Sequence, residues 1–399
     1  MALMSPFKLL CAVGLLAIFS STISKNPSLP LLVTHLGGSQ AGVGMVSGIS
    51  ALTGILFSFP AGLLSDRIGR RRMLLLSGAV FATAPFFYLL ASNVWQLGVI
   101  RFYHGLATAV FGPVAMACVA DLYQGSRGEK MGWFSTATLV GRFSAPAAGG
   151  AILGIYATGD ALGYTALYTV CGIAGLAAFG AMFLLPGKDR HGITPPHSGS
   201  SLHPPEKGLG QGIKELLTNP AIMATCTVEA AILFAYGIFE TFLPLRGASA
   251  GLSALEIGIC ISSQIITIAV SKPVLGKFSD RHGRPPQILA GVFLAAAAMA
   301  VLAVSFSLLP LICASVFFGL AIAVVTSASA AYIADLCKTG CHGSAMGLLG
   351  SIMDIGHTAG PVVGGLVAMS LGLTGSFFSG CFVLVTGGLY FLGFRRKSW

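Results

Sequence analysis

Apolar residues run through this chain in long blocks, broken by short clusters of Gly, Pro, Ser and charged residues. A helix needs about 20 mostly apolar residues, at about 1.5 Å rise each, to cross a bilayer core. That ruler predicts twelve spans, near 7–35, 41–64, 73–91, 96–119, 131–156, 163–185, 220–244, 254–277, 287–305, 308–334, 344–370 and 373–394. The blocks lack the short alternating segments of barrel strands, so the crossings are expected to be helices, which satisfy their own backbone groups in lipid. The stretch 186–218 has no apolar period and carries Pro195, Pro196, Pro204 and Pro205. It reads as a linker between an N-terminal six-helix bundle, 1–185, and a C-terminal one, 219–399. The expected fold is an all-α integral membrane protein made of two six-helix bundles.

Composition sharpens this picture. The 399 residues are 55% hydrophobic and only 9% charged, with mean hydropathy +0.84. Soluble domains carry about 25% charged residues. A soluble enzyme, a secreted disulfide scaffold and a disordered chain are thereby excluded. The nine Cys are scattered, and only Cys337 and Cys341 lie close together, so neither a disulfide framework nor a zinc site is expected. No cleavage site of small residues precedes Lys25, so the first helix is expected to be retained.

The net charge of +10 has a topological reading. With the N-terminus inside, one face holds Lys8, Arg67, Arg70, Arg71, Arg72, Arg127, Lys130, Lys277, Arg281, Arg284, Lys338 and the basic C-terminus, plus the linker's Lys and Arg. The other face holds only Arg246. Positive residues collect on the cytoplasmic side. Both termini are therefore expected in the cytoplasm of a bacterial-type inner membrane, and the excess charge needs no nucleic-acid partner.

The two halves repeat. GLLSDRIGRRR begins at Gly62 and GKFSDRHGRPP at Gly276, which sets Asp66 and Asp280 214 residues apart. The same offset pairs Pro30 with Pro244, Gly105 with Gly319, and Ala120-Asp121-Leu122 with Ala334-Asp335-Leu336. One residue later in register, Pro146 pairs with Pro361 and Gly149-Gly150 with Gly364-Gly365. Twin halves around a central path are a transporter architecture.

At these residues the chain resembles the major facilitator superfamily, and in particular its twelve-helix drug:proton antiporters. Gly62, Asp66, Arg67, Gly69 and Arg70 match the family's loop signature, echoed by Gly276, Asp280, Arg281, Gly283 and Arg284. The resemblance implies that Asp66 caps the eleventh span and Asp280 the fifth, as conformational latches. Gly132, Gly141, Ala145, Pro146, Gly149 and Gly150 resemble the antiporter signature, with Ala145 where a Gly is usual. Gly347, Gly356, Gly360, Pro361, Gly364 and Gly365 complete it in the eleventh span. That pattern implies export by exchange, although glycine-rich helices also simply pack closely. Arg101 with Gly105 resembles a third signature, whose Arg is implied in proton transfer.

Ionisable residues inside spans are costly and mark functional paths. The basic set is Lys25, Arg101, Arg142 and Lys272; the acidic set is Glu229, Glu240 and Asp354; His104 and His357 join them. Arg142, Glu229 and Asp354 are expected near the midplane, with Lys25 and Glu240 nearer the outer mouth. Glu229, Tyr236 and Glu240 fall on one face of the seventh span. Lys25, Arg142, Tyr236, Glu240 and His357 are thus expected to bind substrate. Asp354, then Glu229, with Arg101, are expected to couple protons. Lys272 is expected to snorkel to the cytoplasmic surface. The N-terminal half would offer cations and the C-terminal half anions.

No phosphate loop, nucleotide motif or nucleophile constellation is present, so an enzyme is not expected. The expected function is proton-driven export of a small organic anion or zwitterion by a monomer, with no cofactor and only solute and lipid as partners. The alternatives are uptake or facilitated passage of an organic anion, and a non-transporting membrane sensor or assembly protein.

Overall fold

The computed structural model describes residues 5–156, 161–185, 218–336 and 342–397, apart from the side chains at 59, 124, 127, 128, 280, 282, 342–347 and 395–397. Over the described residues the chain is helical, with no strand. The helices are α1 (Pro6–Ile23), α2 (Ser28–His35), α3 (Gln40–Ile68), α4 (Arg70–Tyr88), α5 (Val94–Leu122), α6 (Arg127–Ile155) and α7 (Ala161–Phe183). They continue as α8 (Pro220–Ser249), α9 (Ala254–His282), α10 (Arg284–Val304), α11 (Leu308–Leu336) and α12 (His342–Lys397). Most of the linker expected at 186–218 lies outside the described residues.

One predicted span changes and one predicted boundary holds. The first span is two helices, α1 and α2, broken at residues 24–27. Pro27 has no N–H to donate and crowds the residue before it, so the helix stops there. Lys25 and Asn26 fall in this break. The eleventh and twelfth spans, taken together here as α12, part at Gly372, between the expected 344–370 and 373–394, and its φ of +69° suits a residue without a Cβ. Among the described residues, ten segments are long and apolar enough to cross a membrane, and the last of them holds both these spans. With α4, whose first turn carries Arg70, Arg71 and Arg72, the crossings number twelve.

The N-terminal half packs α1 against α6 and α7, α3 against α5, and α4 against α5 and α7. The C-terminal half packs α8 against α12, α9 against α11, and α10 against α11 and α12. Two seams join the halves: α3 with α12, and α6 with α9.

Glycine makes both seams, in matching register. A Cβ at Gly44 would strike the Pro361 carbonyl, and one at Gly258 would strike the Pro146 carbonyl. A Cβ at Gly150 would strike the Ala254 carbonyl, and one at Gly365 would lie 2.8 Å from the Gln40 carbonyl oxygen. These contacts all lie at the end of the bundle away from the two Asp-Arg loops. Nearer the loops, a Cβ at Gly54, Gly62, Gly132, Gly276 or Gly350 would meet nothing within 4 Å among the described residues. The halves are therefore closed at the far end and splayed at the loop end.

A branched side chain at a seam glycine should prevent this closure. Gly258→Val is expected to shift spin-label distances between the α2–α3 and α8–α9 connections to longer values. Gly54→Ala, which meets open space, is the control and should leave them unchanged.

Candidate functional site

The broken first span places Lys25 and Asn26 against α8. Glu240 of α8 is 7% exposed and collects four donors. Lys25 Nζ lies 2.5 Å from its Oε2, and Asn26 Nδ2 donates to Oε1 at 3.0 Å. Tyr236 OH donates to Oε1 at 3.0 Å, and His357 Nε2 to Oε2 at 3.2 Å. The Tyr236 and His357 rings stack, with centroids 5.3 Å apart. The knot joins the halves at the closed end. Four of the five expected substrate residues thus come together, but they satisfy one another in this conformation. Asn26 is a fifth member, which its position beside Pro27 did not reveal.

Arg142, the fifth expected substrate residue, stands apart. Its side chain is exposed on α6, within electrostatic reach of Lys25 and Tyr236. Lys272 of α9 is also exposed and feels the charges of both Glu229 and Arg142. Charged groups of both halves thus act on Lys272, beyond the snorkelling expected of it. The expected division of cations and anions between the halves fails for the same reason.

The two expected coupling carboxylates have opposite surroundings. Glu229 is 1% exposed, and among the described residues neither of its oxygens has a hydrogen-bond partner. Ser329 of α11, whose hydroxyl is also unpaired, and Lys272 are its polar neighbours. Asp354 is exposed on α12, and His357 is its charged neighbour. Arg101 is buried within the N-terminal half beside Tyr88 and His104, away from the seam. Tyr88 stacks on Tyr168 with centroids 4.5 Å apart, walling that pocket.

The loops are built alike. Gly69 and Gly283 end α3 and α9 with φ of +99° and +88°, a region that a Cβ disfavours. Arg70 holds Asp66 at 2.5 Å and Asp121 at 3.0 Å, and also Ser65. Arg284 holds Asp335 at 3.2 Å and Ser279 at 3.1 Å. Each loop thus ties its helix pair to the end of the helix two spans on. Asp121 and Asp335 were visible as a repeat pair, though not as the acceptors of these arginines. Arg67 and Arg281 are exposed, and Gly62 meets nothing. The side chains of Asp280 and of the first turn of α12 lie outside the described residues, and with them the expected caps. Arg246, the one basic residue of the opposite face, is buried over the Phe306 ring at 4.1 Å and donates to the Leu302 carbonyl.

Known proteins settle the kinship. The profile described as Major Facilitator Superfamily matches residues 10–253 and 230–398. The chain belongs to the major facilitator superfamily. It is therefore a multi-pass membrane protein of a transporter family. It is 25% identical to Multidrug resistance protein 2 of Bacillus subtilis, over 92% of this chain and 89% of that one. It is 28% identical to the multidrug resistance protein MdtG of Salmonella paratyphi C, over 91% and 89%. An uncharacterized MFS-type transporter of Methanocaldococcus jannaschii is 23% identical over 93% of both chains. Among solved structures, an inward-facing bacterial homolog of the human lysosomal transporter Spinster superposes with TM-score 0.79, at 17% identity, covering 97% of this chain and 94% of that one. The nucleoside transporter NupG superposes with TM-score 0.81, at 14% identity, over 98% and 99%. These superpositions show the superfamily fold.

Breaking a buried ion pair from one side leaves a desolvated charge and costs about 3–5 kcal/mol, whereas replacing both partners by apolar groups costs far less. Glu240→Ala is therefore expected to lower the melting temperature in detergent markedly. Lys25→Met with Glu240→Met should recover most of the loss.

Proposed function

We propose that this transporter is a proton-coupled antiporter, exporting a small organic anion or zwitterion by alternating access, with its Lys/Arg-rich loop end in the cytoplasm. On that orientation the conformation described is open to the cytoplasm and closed outward. The observation that carries the proposal is Glu229, a buried carboxylate with no hydrogen-bond partner among the described residues, in the half-membrane at the open end. A neutral carboxyl is far cheaper than a charged one in such a place. Gaining and losing a proton there changes which packing of α8 is favoured. Two relatives named for multidrug resistance support efflux as the direction.

In this reading Glu229 precedes Asp354 as coupling residue, because burial makes its charge state matter to packing and Asp354 is exposed. The Lys25–Glu240 knot acts as the outer closure and must open for release. The loops act as latches, with Asp66 and Arg70 holding the helix ends that re-pack when the halves rock.

The proposal is tested in proteoliposomes with an imposed pH gradient. Glu229→Gln is expected to retain solute binding and solute–solute exchange, yet lose uphill transport driven by protons alone. Uphill transport by both Glu229→Gln and Asp354→Asn would remove both carboxylates from coupling. Solute moving in the same direction as protons would replace antiport by symport. Asp66→Asn is expected to slow transport while leaving equilibrium binding nearly intact, and a large loss of binding in a folded protein would count against the latch.

A further inference from the structure

Arg142 and Lys272 come from opposite halves yet stand on the same side of the path. Ala147 N–H donates to Ser262 Oγ at 3.2 Å across the α6–α9 seam, which fixes the register of the two helices. Counting from that contact toward the open end, Arg142 lies about 7 Å away and Lys272 about 15 Å, at about 1.5 Å per residue. The seam residues themselves, Pro146 and Ser262, are buried, whereas the two cations are exposed where the helices part. The two positions are offset by about 7 Å along the helix axes, at about 1.5 Å per residue.

Neither cation has a carboxylate within ion-pair distance among the described residues. The nearby acids do not fill that role. Glu240 is already held by Lys25, Asn26, Tyr236 and His357. Glu229, whose charge reaches Lys272, is buried and offers it no ion pair among the described residues. Asp354 sits on α12 beside His357, at the other seam. Arg142 and Lys272 are thus within electrostatic reach of one another, and neither has an ion-pair partner among the described residues.

We propose that Arg142 and Lys272 form a divided anion-binding subsite that selects solutes carrying two separated negative charges, such as dicarboxylates. The inference rests on the transporter reading above and names the substrate class of the same cavity. Arg142 offers a planar fork suited to bidentate carboxylate, and Lys272 offers a point charge that can follow the second group. A monoanion neutralises one cation and leaves the other facing it. A dianion neutralises both and links the two halves, which lets the ligand report on the splay between α6 and α9.

The test is equilibrium binding to the purified full chain by calorimetry, with no pH gradient, so that its failure and that of proton coupling are separable. The probes are matched pairs, hexanoate with adipate and benzoate with phthalate, and tetraethylammonium as a cation. The dicarboxylates are expected to bind about tenfold or more tightly than their monocarboxylate partners, a free-energy difference of about 1.4 kcal/mol. Lys272→Met should abolish that preference while changing monocarboxylate affinity little, and Lys272→Arg should keep it. Melting temperature and elution volume identify variants that remain folded. The proposal is overturned if none of these anions binds, if mono- and dicarboxylates bind alike, if only tetraethylammonium binds, or if Lys272→Met weakens both classes equally.

Discussion

A charge inside a bilayer must be paired, wetted or neutralised, and this protein uses each solution at a different place. Desolvating a carboxylate or an ammonium costs several kcal/mol even after the surroundings relax. Glu240 meets that cost with four donors at the closed end. Arg246 meets it with an aromatic face and a backbone carbonyl. Arg142 and Lys272 stay exposed where the halves part. Glu229 has no hydrogen-bond partner among the described residues, and the proton-coupling proposal rests on that difference. The unequal treatment of these groups gives a symmetric bundle a direction.

The symmetry itself comes from backbone packing. Gly44 on Pro361 and Gly258 on Pro146 are the same contact made twice, once at each seam. Gly141 on Leu15 and Gly356 on Ala230 repeat within the halves. Without a hydrophobic drive between helices in lipid, close approach of small residues supplies the attraction. The glycines that resemble the antiporter signature therefore have a packing role that would hold for transport in either direction. The proposed direction therefore rests on the charges and the relatives, and the glycines add nothing to it.

Much of this was readable in the sequence. The apolar blocks and the 214-residue register of the Asp-Arg loops gave the twelve crossings and the twin halves, because helix length in a bilayer is set by thickness and the repeat by one register. The depth estimates placed Lys25 and Glu240 near one mouth. What stayed hidden were partnerships. Helical spacing puts Glu229, Tyr236 and Glu240 on one face of α8, but it cannot show that eleven residues, about 16 Å along the axis, separate a saturated carboxylate from an orphan one. The break at Pro27 was read as part of one span, so Asn26 was overlooked. Lys272 looked like a snorkelling lysine because sequence distance to the loop was all that could be measured.

The repeat also shows where chemistry has been added to the scaffold. Asn26 and Glu240 are counterparts, 214 residues apart, and they hydrogen-bond to each other at 3.0 Å. A contact between repeat partners lies on the pseudo-two-fold axis, so this pair marks where the axis leaves the closed end. A perfectly symmetric protein would place two identical side chains there. An amide facing a carboxylate instead gives one half the charge and the other half the donors, with Lys25 beside them. The same offset pairs Lys272 with Ser58, and the one-residue-longer offset pairs Arg142 with His357. Backbone contacts survive duplication because a clash at one seam would unbalance the other. Charges diverge instead, so the two halves respond differently to the same charged group.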